Sequence, residues 1–163
     1  MIELAETEKS ALKRVSYIRL RKVYCLKEKY RTVSQEASGE ITEKRSRFIA
    51  AVKPVRTEDE ATAFIEELRK KYWDARHNVF AYIIEENGIM RYSDDGEPAG
   101  TAGLPVLDCI KKEGLSNIAV VVTRYFGGIL LGTGGLVHAY SKAAKEGIAA
   151  ALPVDMALCT EVS

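Results

Sequence analysis

Asn117-Ile-Ala-Val-Val-Val-Thr-Arg-Tyr-Phe-Gly-Gly-Ile-Leu-Leu-Gly-Thr-Gly-Gly135 is the stretch on which the fold turns. Residues 117–122 read as a buried strand, a short apolar run rich in β-branched side chains. The segment that follows packs five of the chain's twelve glycines into nine residues, each costing about 0.5–1 kcal/mol against alanine where ordinary structure would serve. Helical periodicity resumes beyond Gly135. Strand, glycine loop and helix in that order present unpaired backbone N–H groups at a helix N-terminus, which suits an anion. Arg124, Gly127, Gly128, Gly132, Gly134 and Gly135 are therefore the candidate anion-binding residues, with Arg124 as a bidentate phosphate partner. A structural reading stands beside it: the glycines let Tyr125 and Phe126 turn back and the helix pack closely on a sheet. No strict nucleotide motif is present, since Gly132-Thr-Gly134-Gly135-Leu-Val137 fails the dinucleotide fingerprint at its last position and no Gly-Lys-Ser/Thr occurs.

A second dense signature lies upstream, Arg91-Tyr-Ser-Asp-Asp-Gly-Glu-Pro-Ala-Gly-Thr-Ala-Gly103. Asp94, Asp95 and Glu97 place three carboxylates in four residues, a set that would hold Mg²⁺ or act as acid and base. The competing reading has the aspartates capping backbone N–H groups and the positive end of the next helix. Adjacent aspartates on an extended chain point to opposite sides, so a shared ion needs a turn, which Gly96 would supply. Both signatures leave neighbouring elements and precede helices. They are expected to converge on one concave site with His77 at its edge.

These two signatures, together with Ser46-Arg-Phe-Ile49 and Ala75-Arg-His-Asn78, closely resemble the Impact family, whose bacterial members are the YigZ-like proteins, over about Tyr30 to Leu152. The resemblance implies the fold shared by the second domain of a small-subunit ribosomal protein and by small-molecule kinases of the GHMP type, with a left-handed βαβ crossover. From sequence alone a right-handed crossover would be expected. The resemblance also implies a ferredoxin-like second domain after residue 152, so that 153–163 looks like the start of a truncated domain. The family usually has arginine where this chain has His138, and often cysteine where it has Val79. A charge role at the first and a thiol nucleophile at the second are thereby put in doubt.

Composition bounds the rest. With 163 residues, 47% hydrophobic and 29% charged, the chain supports one well-buried globular core. Its longest apolar runs, such as 79–84, are strand-sized rather than membrane spans, and the N-terminus has no apolar h-region. A cytoplasmic protein with no membrane partner is expected. Cys25, Cys109 and Cys159 are an odd set without Cys-x-x-Cys spacing, so free thiols are predicted rather than a disulfide framework or a zinc knuckle. Residues 1–30 hold eight Lys/Arg against four Asp/Glu, leaving sixteen against nineteen beyond them. The globular part is slightly acidic, which argues against broad nucleic-acid binding and leaves room only for a local patch. No DNA specificity is expected.

In chain order, residues 1–29 read as a basic extension outside the family match. Residues 30–152 form the Impact-type domain, opening with a hairpin of 30–37 and 40–42 about Ser38-Gly39 and a strand of 48–52. Thr57 and Glu60 form a capping box for a helix whose apolar positions are Ala61, Phe64, Ile65, Leu68 and Tyr72. Asn87-Gly88 predicts a type I′ hairpin between strands 79–84 and 89–93. Pro105 opens a helix that Gly114 ends, and Leu136, Val137, Tyr140, Ala143, Ala144, Ile148 and Ala151 line a long final one. The predicted fold class is α+β: a two-layer sandwich of one mixed sheet with helices mainly on one face.

Two functions compete. The first is a translation- or stress-linked regulatory binding module acting through protein or RNA contacts. The family resemblance implies it, since eukaryotic Impact proteins restrain a translation-control kinase by competing for its ribosome-associated activator. The alternative is an enzyme on a phosphorylated or nucleic-acid substrate, with the glycine loop as phosphate cradle and the acidic loop as metal site. The sequence favours the binding module: no serine nucleophile elbow and no His-Glu-x-x-His occurs. Some bacterial relatives carry a proline-dipeptidase label, and two histidines do not readily furnish that metal site.

Overall fold

The computed structural model describes residues 22–162, and the side chains of 29–157. The larger of two compact units is Lys29–Met156, and residues 22–28 and 157–162 belong to the other. The first twenty-one residues of the expected basic extension lie outside the described residues. Among the described residues ten elements follow one another: β1 (Lys22–Val33), β2 (Ala37–Glu43), β3 (Ser46–Pro54), α1 (Glu58–Lys71), β4 (His77–Ile84), β5 (Ile89–Ser93), α2 (Gly103–Lys112), β6 (Ile118–Tyr125), α3 (Gly132–Ala150) and β7 (Pro153–Val162). Five strands form a sheet in the order β2-β3-β6-β4-β5, and β1 pairs with β7 in a separate two-stranded sheet.

The stretch read first from sequence is the middle of the architecture. Strand β6 lies between β3 and β4, and Ile118–Arg124 are buried throughout. Its side chains alternate between two cores. Ile118, Val120 and Val122 meet α2 and α3 on one face, while Ala119 and Val121 meet α1 on the other. The α+β class holds, with two helices on one face. Helix α1 adds a layer on the opposite face, which makes the strands apolar on both sides.

The sheet expected to be mixed is antiparallel at every neighbouring pair. Within this sheet, parallel relations exist only across an intervening strand: β2 and β6 flank β3, β3 and β4 flank β6, and β5 and β6 flank β4. The connections β3-α1-β4 and β5-α2-β6 run in opposite directions across the sheet, between strand pairs pointing opposite ways, and on opposite faces. Two of those reversals cancel and the third does not, so the crossovers have opposite hands and one of them is left-handed.

The hairpin expected about Ser38-Gly39 is not formed. Strand β1 is held instead by a bridge from Arg31 to Leu115 and by the Ser116 N–H donating to the Arg31 carbonyl at 2.8 Å. Strand β2 pairs with β3 through Lys44 and Arg45, whose φ angles of 44° and 65° make the two-residue turn type I′ without glycine or asparagine. Gly39 sits inside β2, where a Cβ would stand 2.9 Å from the backbone of Glu146 and Gly147 in α3. Its glycine serves close packing, not a turn. The β4–β5 hairpin forms as expected, though through residues 85–88 with only Gly88 at positive φ, so its turn is not type I′.

Helix α1 begins as read: Glu60 N–H donates to Thr57 Oγ1 at 3.2 Å, and the Glu60 carboxylate accepts from the Arg56 N–H at 2.7 Å. Gly114, at φ 66°, follows the end of α2. On α3 the buried face is Leu136, Ala139, Tyr140, Ala143, Ala144, Gly147 and Ile148, while Val137, expected inside, is exposed. Among the described residues no helix is long and apolar enough to cross a membrane.

Candidate functional site

The antiparallel register sets Phe48 of β3, Arg124 of β6 and His77 of β4 side by side at one end of the sheet. Cross-strand partners project to the same face, here the face carrying α2 and α3. The acidic loop, 94–102, leaves β5 and folds over this row. Asp94 to Glu97 make a tight turn, with Asp95 at φ 43° and Gly96 at φ 87°, closed by the Glu97 N–H donating to the Asp94 carbonyl at 3.0 Å.

That turn sends the three carboxylates apart. Asp94 accepts from the N–H groups of Gly100 at 2.9 Å, Ala102 at 3.2 Å and Gly103 at 2.8 Å. It thus caps α2, whose own N-cap residue, Ala102, has no side-chain oxygen. Asp95 accepts from the Asn78 N–H at 2.6 Å and fastens the loop to β4. Glu97 alone turns inward, its side chain 4% exposed, and its Oε1 accepts from Arg124 Nη1 at 2.6 Å and from the Tyr140 hydroxyl at 2.7 Å. A Mg²⁺ ion held by Asp94, Asp95 and Glu97 together does not fit this arrangement, because no point lies within reach of all three. Among the described residues no group of three His, Cys, Asp or Glu side chains converges as metal ligands would.

Arg124 is 7% exposed and lies between the rings of Phe48 and Phe126, 5.6 and 5.5 Å from their centroids. Its Nη2 reaches Ser46 Oγ at 3.5 Å, and the same hydroxyl oxygen accepts from the Gly127 N–H at 3.3 Å. Arg124, read from sequence as a phosphate partner, here holds an acidic-loop carboxylate, and that carboxylate is Glu97 rather than Asp94 or Asp95. Burial, then the neighbouring Glu97 carboxylate, pushes the Tyr140 hydroxyl far above its ordinary range, so it stays a donor. Tyr140→Phe removes that donor and is expected to cost about 1–2 kcal/mol. Because the folded state holds this proton tightly, wild type loses stability as pH rises past about 10, where an unfolded tyrosine ionises. Urea unfolding at rising pH should show a shallower alkaline loss in Tyr140→Phe.

The two loops do meet. Gly96 and Glu97 from one, and Phe126 and Leu130 from the other, line a cavity of about 350 Å³ with Arg76, His77 and Arg124. His77 Nδ1 lies 2.8 Å from the Asp95 carbonyl and its Nε2 lies 3.8 Å from Glu97 Oε2. Gly127 is required by close approach, since a Cβ there would stand 2.1 Å from the Arg45 backbone. Gly128 and Gly132 have φ of 87° and 74° and turn the loop. Gly132, Gly134 and Gly135 open α3 without a side-chain cap and do not line the cavity. Sequence reasoning missed Ser46, Phe48, Phe126, Leu130 and Tyr140 as parts of the site. The spacing Ser46-x-Phe48 on one strand, both turned inward, is the signal that would have found two of them.

Fold and site together define an α+β domain in which a capped acidic loop and a glycine loop are joined by a buried Glu–Arg–Tyr network. A family model described as the Impact N-terminal domain matches residues 44–148, and the chain belongs to that family. IMPACT family member YvyE of Bacillus subtilis (strain 168) is 50% identical over 120 residues, covering 73% of this chain and 55% of the relative. IMPACT family member YigZ of Escherichia coli (strain K12) is 44% identical over 108 residues, covering 64% and 53%. A crystal structure of a hypothetical protein superposes with a TM-score of 0.75 at 36% identity, covering 81% of this chain and 66% of that one. The chain spans about half the length of the curated relatives it matches.

Proposed function

We propose that this domain is a translation-linked regulatory module of the cytoplasm that docks on the translation machinery through the face built by its two loops. One observation carries the reading. The polar groups of both signatures are largely spent inside the domain, while the apolar tip of the glycine loop stands outside it, Leu130 at 82% exposure with Phe126 and Ile129 beside it. Loops whose carboxylates are taken up by backbone N–H groups, an arginine and a tyrosine of the same domain suit recognition better than turnover, and exposed apolar side chains on such a frame are what a partner buries. The eukaryotic branch of the family, with its link to a ribosome-associated activator, supplies the choice of partner.

Co-sedimentation of the chain with purified ribosomes at about 0.1 M salt tests this. Wild type is expected in the pellet and Leu130→Asp in the supernatant, with unchanged melting because the side chain is exposed. Wild type left in the supernatant, or Leu130→Asp pelleting equally, would contradict the proposal.

A further inference from the structure

We infer that the cavity between the loops takes a single unstacked nucleobase carrying an exocyclic amino group, presented by an RNA strand. The inference deepens the docking reading by naming RNA as the contact inside the face, and it starts from a hydrogen-bond mismatch. The Asp95 carbonyl only accepts, so at 2.8 Å it fixes the proton of His77 on Nδ1. In the tautomer that carries its single proton there, Nε2 is an acceptor, and 3.8 Å away it faces Glu97 Oε2, another acceptor. Arg124 and Tyr140 both bond Oε1, leaving Oε2 without a hydrogen-bond partner among the described residues on a carboxylate that is 4% exposed. Neither Oε2 nor Nε2 is sealed off, for Arg124 Nε is the one enclosed and unpartnered side-chain atom among the described residues. Two acceptors at this spacing are bridged by one atom bearing two hydrogens, a water oxygen or an amino nitrogen, placed about 2.9 Å from each.

The surroundings select the group. A lysine ammonium would sit beside Arg76 and Arg124 with the one carboxylate already neutralised, so a neutral amino group is favoured. Phe126 is 43% exposed at the cavity wall and offers a ring for stacking, and Leu130 adds an apolar lip. Exposed Arg76 stands at the rim where a strand's phosphate would pass. About 350 Å³ is within the range of pockets that hold small planar ligands. Adenine and cytosine carry the required donor on their Watson–Crick edge, whereas uracil would turn a carbonyl toward two acceptors.

The test is fluorescence anisotropy of the full chain with short labelled oligoadenylate, oligocytidylate and oligouridylate, alongside titration with AMP and CMP. Oligoadenylate and oligocytidylate are expected to bind about tenfold or more tighter than oligouridylate. Phe126→Ala, at an exposed position, should weaken them about tenfold, and His77→Phe should erase the preference over uridylate. Equal affinity for all three oligomers with steep salt dependence would mean backbone attraction and would overturn the inference. So would an undiminished preference in both variants. AMP or CMP binding as tightly as the oligomers would overturn the RNA source in favour of a free nucleotide. No oligomer binding while ribosomes still pellet the protein removes only the pocket inference, and loss of both removes the docking reading too.

Discussion

Arg124→Ala is expected to lower the stability of the domain by about 3–5 kcal/mol, because it leaves the Glu97 carboxylate buried without its cation. The side chain removed is 93% buried from solvent on the 7% exposure it retains, and its loss also empties the space between Phe48 and Phe126. The Tyr140 hydroxyl remains as a partner of Glu97 but brings no full charge. Urea unfolding should show an earlier midpoint with an unchanged slope, and the melting temperature should fall by about 10 °C. Arg124→Lys should recover only part of this, since an ammonium does not reproduce the planar fork that reaches both Glu97 and Ser46. An Arg124 whose business was to bind anions would behave oppositely: its alanine variant would lose ligand and keep its melting point.

Gly127→Ala should be nearly as damaging, at about 3 kcal/mol. The added Cβ would meet the Arg45 carbonyl group at 2.1 Å, and Arg45 belongs to the tight β2–β3 turn, so the clash is with backbone and not with the end of a flexible side chain. Gly134→Ala is the internal comparison. Its Cβ would meet nothing within 4 Å, its φ is not in the left-handed region, and it lies in the first turns of α3. Alanine there should be neutral or stabilising by up to about 1 kcal/mol. Thermal melts of the two variants side by side separate a glycine demanded by packing from one that is not.

The parts of the fold that were legible in sequence are those whose cause is local. Thr57 takes the Glu60 N–H of α1 and Glu60 reaches back to the Arg56 N–H, all within a few consecutive residues, and the run 118–122, rich in β-branched side chains, has no amphipathic alternative. Gly39 misled because its reason is tertiary: it resembles a turn glycine and is a contact glycine under α3. The real turn, Lys44-Arg45, carries none of the usual turn residues and is legible only once β2 and β3 are paired. The site divides in the same way. That Asp94 and Asp95 diverge followed from their adjacency, and the capping role of Asp94 followed from the helix ahead, whereas the tie from Asp95 to β4 did not. That Glu97 turns inward to Arg124 and Tyr140 depends on three segments distant in sequence. Tyr140 in particular read only as one more apolar position on a helix face.

The account rests on the buried Glu97–Arg124 pair joining the two loops into one face. A double-mutant cycle on Glu97→Gln and Arg124→Met, read by urea unfolding, measures that join directly. The prediction is that each single variant is strongly destabilised, and that the double variant is less destabilised than their sum by about 2 kcal/mol or more, because removing both charges leaves no orphan. Single effects that add to within about 0.5 kcal/mol would show the two residues to be independent and would contradict the account.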